Sequence, residues 1–213
     1  MDAETEVLID QCKLGDSEAL HKLLARYQGK ILRIVRLRLD NKTRNVLKMQ
    51  SMDVLQEVFI TAFRNIQDFK SMTKGSFCHW LSKIVENRIK DLLDHALAQK
   101  RTAPGGEQSL DEIHEMGSDD GLRLVDIIRA TNTSPTQYLH RRNIASAIDG
   151  IMLKLEDQER EIIILYKYEE LTFREIAEML QKKEDAVRKQ FKRAFTKLLA
   201  LAEMDSTLQE LRQ

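Results

Sequence analysis

Residues 171–194 read LTFREIAEMLQKKEDAVRKQFKRA, and this stretch decides the fold class. Thr172, followed three residues later by Glu175, is the capping-box pattern that begins a helix. The apolar residues after it recur at helical spacing until a polar break at residues 181–183. Helical periodicity resumes at Glu184. A short helix, a tight break and a second helix together predict a helix-turn-helix.

The second helix of this motif has one apolar side and one basic side. Its apolar arc holds Val187, Phe191, Ala194 and Leu198. Four cations lie on the opposite side: Arg188, Lys189, Lys192 and Arg193. Such a face can enter the major groove of DNA, where Arg and Lys reach guanine acceptors and phosphates. A basic helix alone is often only a solvated surface, but the capped partner helix favours DNA binding.

An amphipathic helix is also predicted around residues 53–66. Its core stripe consists of Leu55, Val58, Phe59, Ala62, Phe63 and Ile66. The opposite stripe consists of Asp53, Gln56, Glu57, Ile60 and Arg64. Ile60 is the one apolar residue on this polar stripe. Either it is a single exposed isoleucine, which is common, or it marks a face that binds a partner.

A further helix is predicted from about Ser76 to Ala98, again with two arcs. The core arc holds Phe77, Leu81, Ile84, Val85, Leu92 and Ala96. The other arc holds His79, Trp80, Lys83, Asn87 and Lys90. An indole, lysines and an amide on one polar face suit a single nucleic-acid strand, because bases stack on aromatic rings. Ordinary core packing of Trp80, at the edge of its arc, is the alternative.

The whole chain is predicted to be all-α. It has 213 residues, 42% of them hydrophobic, and only two prolines. Turn-forming residues interrupt the helical pattern from 102 to about 134. We therefore expect two small helical domains, 1–101 and 136–204, joined by a flexible acidic linker at 102–135 and followed by a tail at 205–213.

The net charge is zero, but the charges are segregated along the chain. Lys22 to Lys48 is strongly basic, whereas residues 102–140 are mostly acidic. Cys12 and Cys78 have no ligand set around them, and no phosphate loop or nucleophile motif is present. No signal peptide or membrane span is evident. We expect a cytoplasmic protein without cofactor, metal, small-molecule substrate or membrane insertion.

Several segments, in order along the chain, resemble one family. Residues 53–63 resemble the segment by which sigma factors grip core RNA polymerase. Residues 77–91 resemble a pattern of the extracytoplasmic-function (ECF) subfamily. Residues 155–165 and 171–194 resemble its sigma-four domain and helix-turn-helix. The chain therefore resembles a bacterial ECF sigma factor, with a sigma-two bundle and a sigma-four helix-turn-helix.

The resemblance implies a role for each surface. Asp53, Gln56, Glu57 and Ile60 would bind the β′ clamp of core polymerase, and the β flap would be a second contact. Trp80, Lys83 and Asn87, with the loop from Phe69 to Ser76, would face the −10 element as a single strand. The helix from Glu184 would read the −35 element. Promoter DNA and, in some members, an anti-sigma factor are the implied partners.

The chain departs from the family pattern in the turn, and other functions remain open. Gln181 stands where the family usually has Gly, Lys183 where it has a Ser or Thr helix cap, and Ala186 where it has Thr. The main alternative is a sigma-mimic decoy that binds an anti-sigma factor without recognising promoters. A helix-turn-helix repressor comes next, and an enzyme is least expected.

Overall fold

The computed structural model describes residues 3–39, 41–47, 49–70, 76–102 and 135–210. Within these ranges the chain contains helices and turns and no β-strand, which confirms the all-α prediction. The described residues fall into two compact units. The first includes residues 3–70 and 81–102, and the second includes residues 76–80 and 135–210. The predicted linker lies almost entirely outside the described residues.

The first unit is built from helices that are numbered in chain order. They are α1 (Ala3–Lys13), α2 (Ser17–Arg38), α3 (Asn41–Leu47), α4 (Ser51–Asn65) with a 3-10 turn at Ile66–Asp68, and α5 (Ser76–Thr102). Asp16 caps α2, because its Oδ1 accepts hydrogen bonds from the backbone N–H of Glu18 at 2.8 Å and of Ala19 at 3.1 Å. α2 packs on both α1 and α4.

The core of this unit follows the predicted stripes with two exceptions, Phe63 of α4 and Ile84 of α5, which is only half-buried. Leu55, Val58, Phe59, Ala62 and Ile66 of α4 and its turn are all buried. Phe63 was expected among them but is 49% exposed, so that prediction is wrong. It stands one residue beyond buried Ala62, where the apolar stripe meets solvent. A position at the edge of a stripe is buried only if a neighbouring element covers it.

α2 and α5 are joined by hydrogen bonds as well as by packing. Arg38 Nη1 donates to the Ser82 hydroxyl at 2.7 Å and to the Ser82 carbonyl at 2.9 Å. Ser82 is fully buried, so these bonds satisfy polar atoms that have lost contact with water. They hold α5 in a defined register against α2, and therefore fix which face of α5 points outward.

The second unit contains the helix-turn-helix. Its elements are α6 (Pro135–Met152), α7 (Asp157–Ile163) ending in a π-turn at Ile164–Tyr168, α8 (Phe173–Leu180), α9 (Glu184–Glu203) and α10 (Ser206–Glu210). α9 packs on α7, α8 and α6. The segment 205–213 was expected to be a tail, but its residues 206–210 form α10, which contacts α6 and α9.

The first residues of α5 belong to the second unit. Within it, the Cys78 thiol donates to the Tyr168 carbonyl at 3.1 Å, and His79 Nδ1 lies 2.5 Å from Glu169 Oε2. Glu169 is fully buried, so the imidazole supplies a partner that its carboxylate requires. The boundary at residue 101 remains a prediction from the sequence.

Candidate nucleic-acid and polymerase interfaces

Of the two helices of the helix-turn-helix, α8 begins with a complete capping box, whereas α9 has a poor N-cap. Thr172 Oγ1 accepts from the Glu175 N–H at 3.2 Å, while Glu175 Oε2 accepts from the Thr172 N–H at 2.7 Å. The predicted capping box is thereby confirmed. Lys183 occupies the cap position of α9 and makes no side-chain capping bond, as expected for lysine. Glu184 and Asp185 place negative charge at that helix terminus instead.

Gln181 takes the conformation for which the family usually provides glycine. Its φ is +54° and its ψ +41°, in the left-handed region that strains a residue with a Cβ. The following N–H, of Lys182, donates to the Ala177 carbonyl at 2.9 Å and closes the turn. The turn therefore keeps this geometry with Gln181 in place of glycine, at a cost in conformational energy.

The basic face of α9 is exposed, as predicted. Val187 and Ala194 on the opposite side are fully buried, while Phe191 is half-buried. The four cations Arg188, Lys189, Lys192 and Arg193 are all exposed. The structure therefore brings together the four side chains that the sequence predicts for duplex DNA.

An aromatic cluster beside this face was not predicted as a unit. The rings of Tyr166 and Phe173 stack at 4.3 Å between centroids with 8° between their planes. Phe191 contacts both rings and Phe195 stacks on Phe191 at 5.6 Å. The Arg188 guanidinium carbon lies 4.7 Å from the Phe173 centroid, within the range of a cation–π contact. Five aromatic residues lie between positions 166 and 195, but their spacing does not show that four of them form one cluster.

The polar face of α4 is half-buried and partly committed to contacts within the chain. Asp53 Oδ2 accepts from the Gln50 N–H at 3.0 Å and so completes a capping box at the start of α4. Glu57 Oε2 accepts from Arg88 Nε at 2.5 Å, and this hydrogen bond is the main cause that raises the pKa of Arg88. Gln56 and Ile60 are half-buried on the same helix. All four predicted residues lie on α4.

The residues predicted to bind a single strand differ in their exposure along α5. Trp80 and Lys83 are half-buried and Asn87 is exposed. The Trp80 ring lies 5.5 Å from that of Phe77, with a tilt of 32°. Lys83 Nζ bonds Glu86 Oε2 at 2.6 Å. Core packing of Trp80 is therefore partial, and one part of its indole remains accessible.

Phe69 is buried, unlike the other three residues predicted to bind the −10 element. It is 2% exposed, Lys13 Nζ donates to its carbonyl at 2.6 Å, and the same ammonium lies 5.8 Å from its ring centroid. In this conformation the ring belongs to the core and cannot stack on a base. The sequence predicted Phe69 at the interface because it begins the loop that precedes α5. Residues 71–75 of that loop lie outside the described part of the chain.

Two family models match the chain. The Sigma-70 region 2 model covers residues 23–100, and the model described as Sigma-70, region 4 covers residues 145–198. The protein belongs to the sigma-70 family. The first match includes the α4 and α5 faces of this sigma factor, and the second includes the helix-turn-helix.

Comparison of the sigma factor with curated relatives identifies its subfamily. It is 30% identical to the ECF RNA polymerase sigma-E factor of Haemophilus influenzae, over 89% of this chain and 90% of that protein. It is 27% identical to the RNA polymerase sigma-H factor of Pseudomonas aeruginosa, over 90% of each. A solved structure of CnrH in complex with the cytosolic domain of CnrY aligns over 96% of this chain and all of that chain, with 23% identity and a TM-score of 0.49. The chain is an ECF sigma factor by family.

The two cysteines of the sigma factor lie in its interior. Cys12 and Cys78 are buried and are not joined in a disulfide, and burial raises the pKa of the Cys12 thiol to about 11. A thiol with that pKa is protonated at neutral pH and is a poor nucleophile. In the described ranges no group of acidic, His or Cys side chains could hold a metal ion, and no helix there is long and apolar enough to span a membrane.

Proposed function

We propose that this sigma factor directs core RNA polymerase to promoters with −35 and −10 elements and initiates transcription there. The observation that carries the proposal is the exposed row of four cations on α9, the second helix of a capped helix-turn-helix. A rigid helix with a cationic outer face is suited to the major groove, where it meets both base edges and phosphates.

The faces on α4 and α5 bind the other two partners, core polymerase and the −10 element. The α4 face, with Asp53, Gln56, Glu57 and Ile60, binds the β′ clamp. The α5 face, with Trp80, Lys83 and Asn87, binds the −10 element after its strands separate. Stacking of one base on an indole contributes about 1–3 kcal/mol, and a lysine beside it attracts the phosphate backbone. The C-terminal unit contacts the β flap.

The contribution of the sigma factor is binding rather than catalysis, and it acts in the cytoplasm with the polymerase. Its net charge of zero fits this division of labour. Non-specific affinity for DNA comes from the phosphates that Lys and Arg neutralise, and an equal number of acidic side chains opposes it by repulsion. We therefore expect the free protein to bind DNA weakly and to gain promoter affinity on the polymerase. An anti-sigma factor would bind the faces on α4, α5 or α9 and so compete with polymerase or promoter DNA.

Transcription in vitro tests this proposal. Core polymerase and genomic DNA are combined with and without the protein, and the RNA 5′ ends are sequenced. New start sites that share two upstream elements at a fixed spacing are the expected result. If core polymerase stays active with another sigma factor but this chain yields no new starts, the proposal fails and the decoy hypothesis gains support.

A further inference from the structure

Among the four cations of the basic face of α9, Arg188 alone has contacts with other side chains within the described residues, and it has two of them. Its Nη2 donates to Glu184 Oε1 at 2.5 Å, one helical turn earlier. Its guanidinium carbon also lies 4.7 Å from the Phe173 ring centroid. The two side chains of the ion pair are 57% and 44% exposed, so the pair alone would be weak and easily exchanged for water. The ring provides the second constraint on the guanidinium.

Phe173 is itself held firmly. It is the first residue of α8, directly after the Thr172 cap, so its backbone is fixed by the capping box. Its ring stacks on Tyr166 and meets Phe191 edge-on at 5.4 Å and 62°. A ring fixed in this way is a rigid support for any group that lies over it.

The other three cations have no comparable support. Lys189, Lys192 and Arg193 are exposed, and within the described residues none makes a side-chain hydrogen bond, ion pair or ring contact. Long side chains without partners follow phosphates, which accept hydrogen bonds from many directions. Reading a base edge requires a defined orientation, because guanine offers two acceptors in one plane.

We propose that Phe173 is a positioning residue that holds the Arg188 guanidinium for base-specific reading of the −35 element. Lys189, Lys192 and Arg193 supply phosphate contacts. This assignment rests on the proposed function. A guanidinium that lies over an aromatic ring keeps its in-plane N–H groups available for a fork-shaped contact. The Glu184 carboxylate beside it repels phosphate, so Arg188 is steered away from the backbone and towards a base.

The test uses holoenzyme, assembled from core polymerase and the full chain, on promoters found by 5′-end mapping. The upstream element is randomised and transcription is measured for each sequence. Arg188→Ala should remove a preference of about ten- to hundredfold at one or two base pairs. Phe173→Leu should reduce the preference at those same pairs by about two- to fivefold, because the ring face is lost. Phe173→Tyr keeps the ring and should preserve the preference.

Phe195→Leu is the matched control. Phe195 belongs to the same aromatic cluster, stacks on Phe191 and has no contact with Arg188 among the described interactions. Its loss should lower stability to a similar extent and leave base preference unchanged. If Phe173→Leu lowers the unfolding temperature further than this control, Phe173→Met replaces it, since Met fills the space without a ring. Phe173→Met should reduce the base preference by the same two- to fivefold factor as Phe173→Leu.

Three outcomes overturn the assignment. One is an unchanged base preference in the Phe173→Leu or Phe173→Met holoenzyme. Another is a reduction at pairs different from those affected by Arg188→Ala. The third is an equal reduction in Phe195→Leu, which would make the ring a structural element only. Failure of the proposed function is distinct, because the wild-type holoenzyme would then show no dependence on the upstream element.

Discussion

The polar face of α4 and the basic face of α9 are both predicted to bind large partners, but they are built differently. On α4, Asp53 caps its own helix and Glu57 is bonded to Arg88. On α9, Lys189, Lys192 and Arg193 extend into solvent from a helix whose opposite side is buried. On α4 the residues predicted to bind the partner also make contacts that stabilise the fold. On α9 the residues predicted to bind DNA make few such contacts.

This difference determines what a substitution can report. A change on the α9 face should alter DNA recognition with little effect on folding, since exposed side chains contribute little to stability. A change at Asp53 or Glu57 also removes a contact within the chain. Ile60, for which no such polar role exists, is therefore the cleanest position on α4. The predictions below test this contrast, from the largest effect to the smallest.

The double substitution Arg188→Ala and Arg193→Ala should have the largest effect. We expect transcription that depends on the −35 element to fall by about a hundredfold, since the loss of two cations removes base and phosphate contacts. Affinity for core polymerase, measured by fluorescence titration, should remain unchanged. An equal fall in core affinity would contradict the separation of the two faces.

Ile60→Glu should weaken binding to core polymerase by about tenfold or more, because it places an unpaired charge in the interface. The thermal unfolding midpoint should stay near that of the wild type, as Ile60 is only half-buried. Ile60→Val is the conservative control and should bind normally. Unchanged affinity for Ile60→Glu would remove this face from the interface.

Gln181→Gly should stabilise the second unit by about 0.5–1 kcal/mol, because glycine adopts the left-handed region without strain. Chemical denaturation measures the gain. Gln181→Ala is the control, since it keeps the Cβ and should show no stabilisation. The −35 preference should not change. A destabilised Gln181→Gly protein would show that the turn has another conformation in solution.

Glu57→Ala should produce a small loss of stability, about 0.5 kcal/mol, since its partly exposed ion pair with Arg88 is screened by water. Like Ile60→Glu, it should reduce core binding, but unlike that variant it should also lower stability, so both the affinity and the free energy of unfolding change. Arg88→Ala is the matched control for the loss of the pair. If Glu57→Ala changed binding alone, the contrast between α4 and α9 would be weaker than the structure indicates.

Much of the second unit followed from local sequence. The Thr172–Glu175 capping box, the break at residues 181–183 and the exposed cations of α9 are each set by residues fewer than five positions apart or by helical periodicity. Such features need no knowledge of neighbouring elements. The poor cap at Lys183 could be read in the same way, because it depends on one residue type.

Sequence by itself determined the all-α class, the helix-turn-helix and the family of this protein. Only the tertiary structure decided that Phe69 is buried, that Phe63 is exposed and that the Phe173 ring lies beside the Arg188 guanidinium. Periodicity shows which residues share a helix face, but not which other element covers that face or how far it reaches. Contacts between distant segments, such as that of Glu57 with Arg88, depend on how the helices pack.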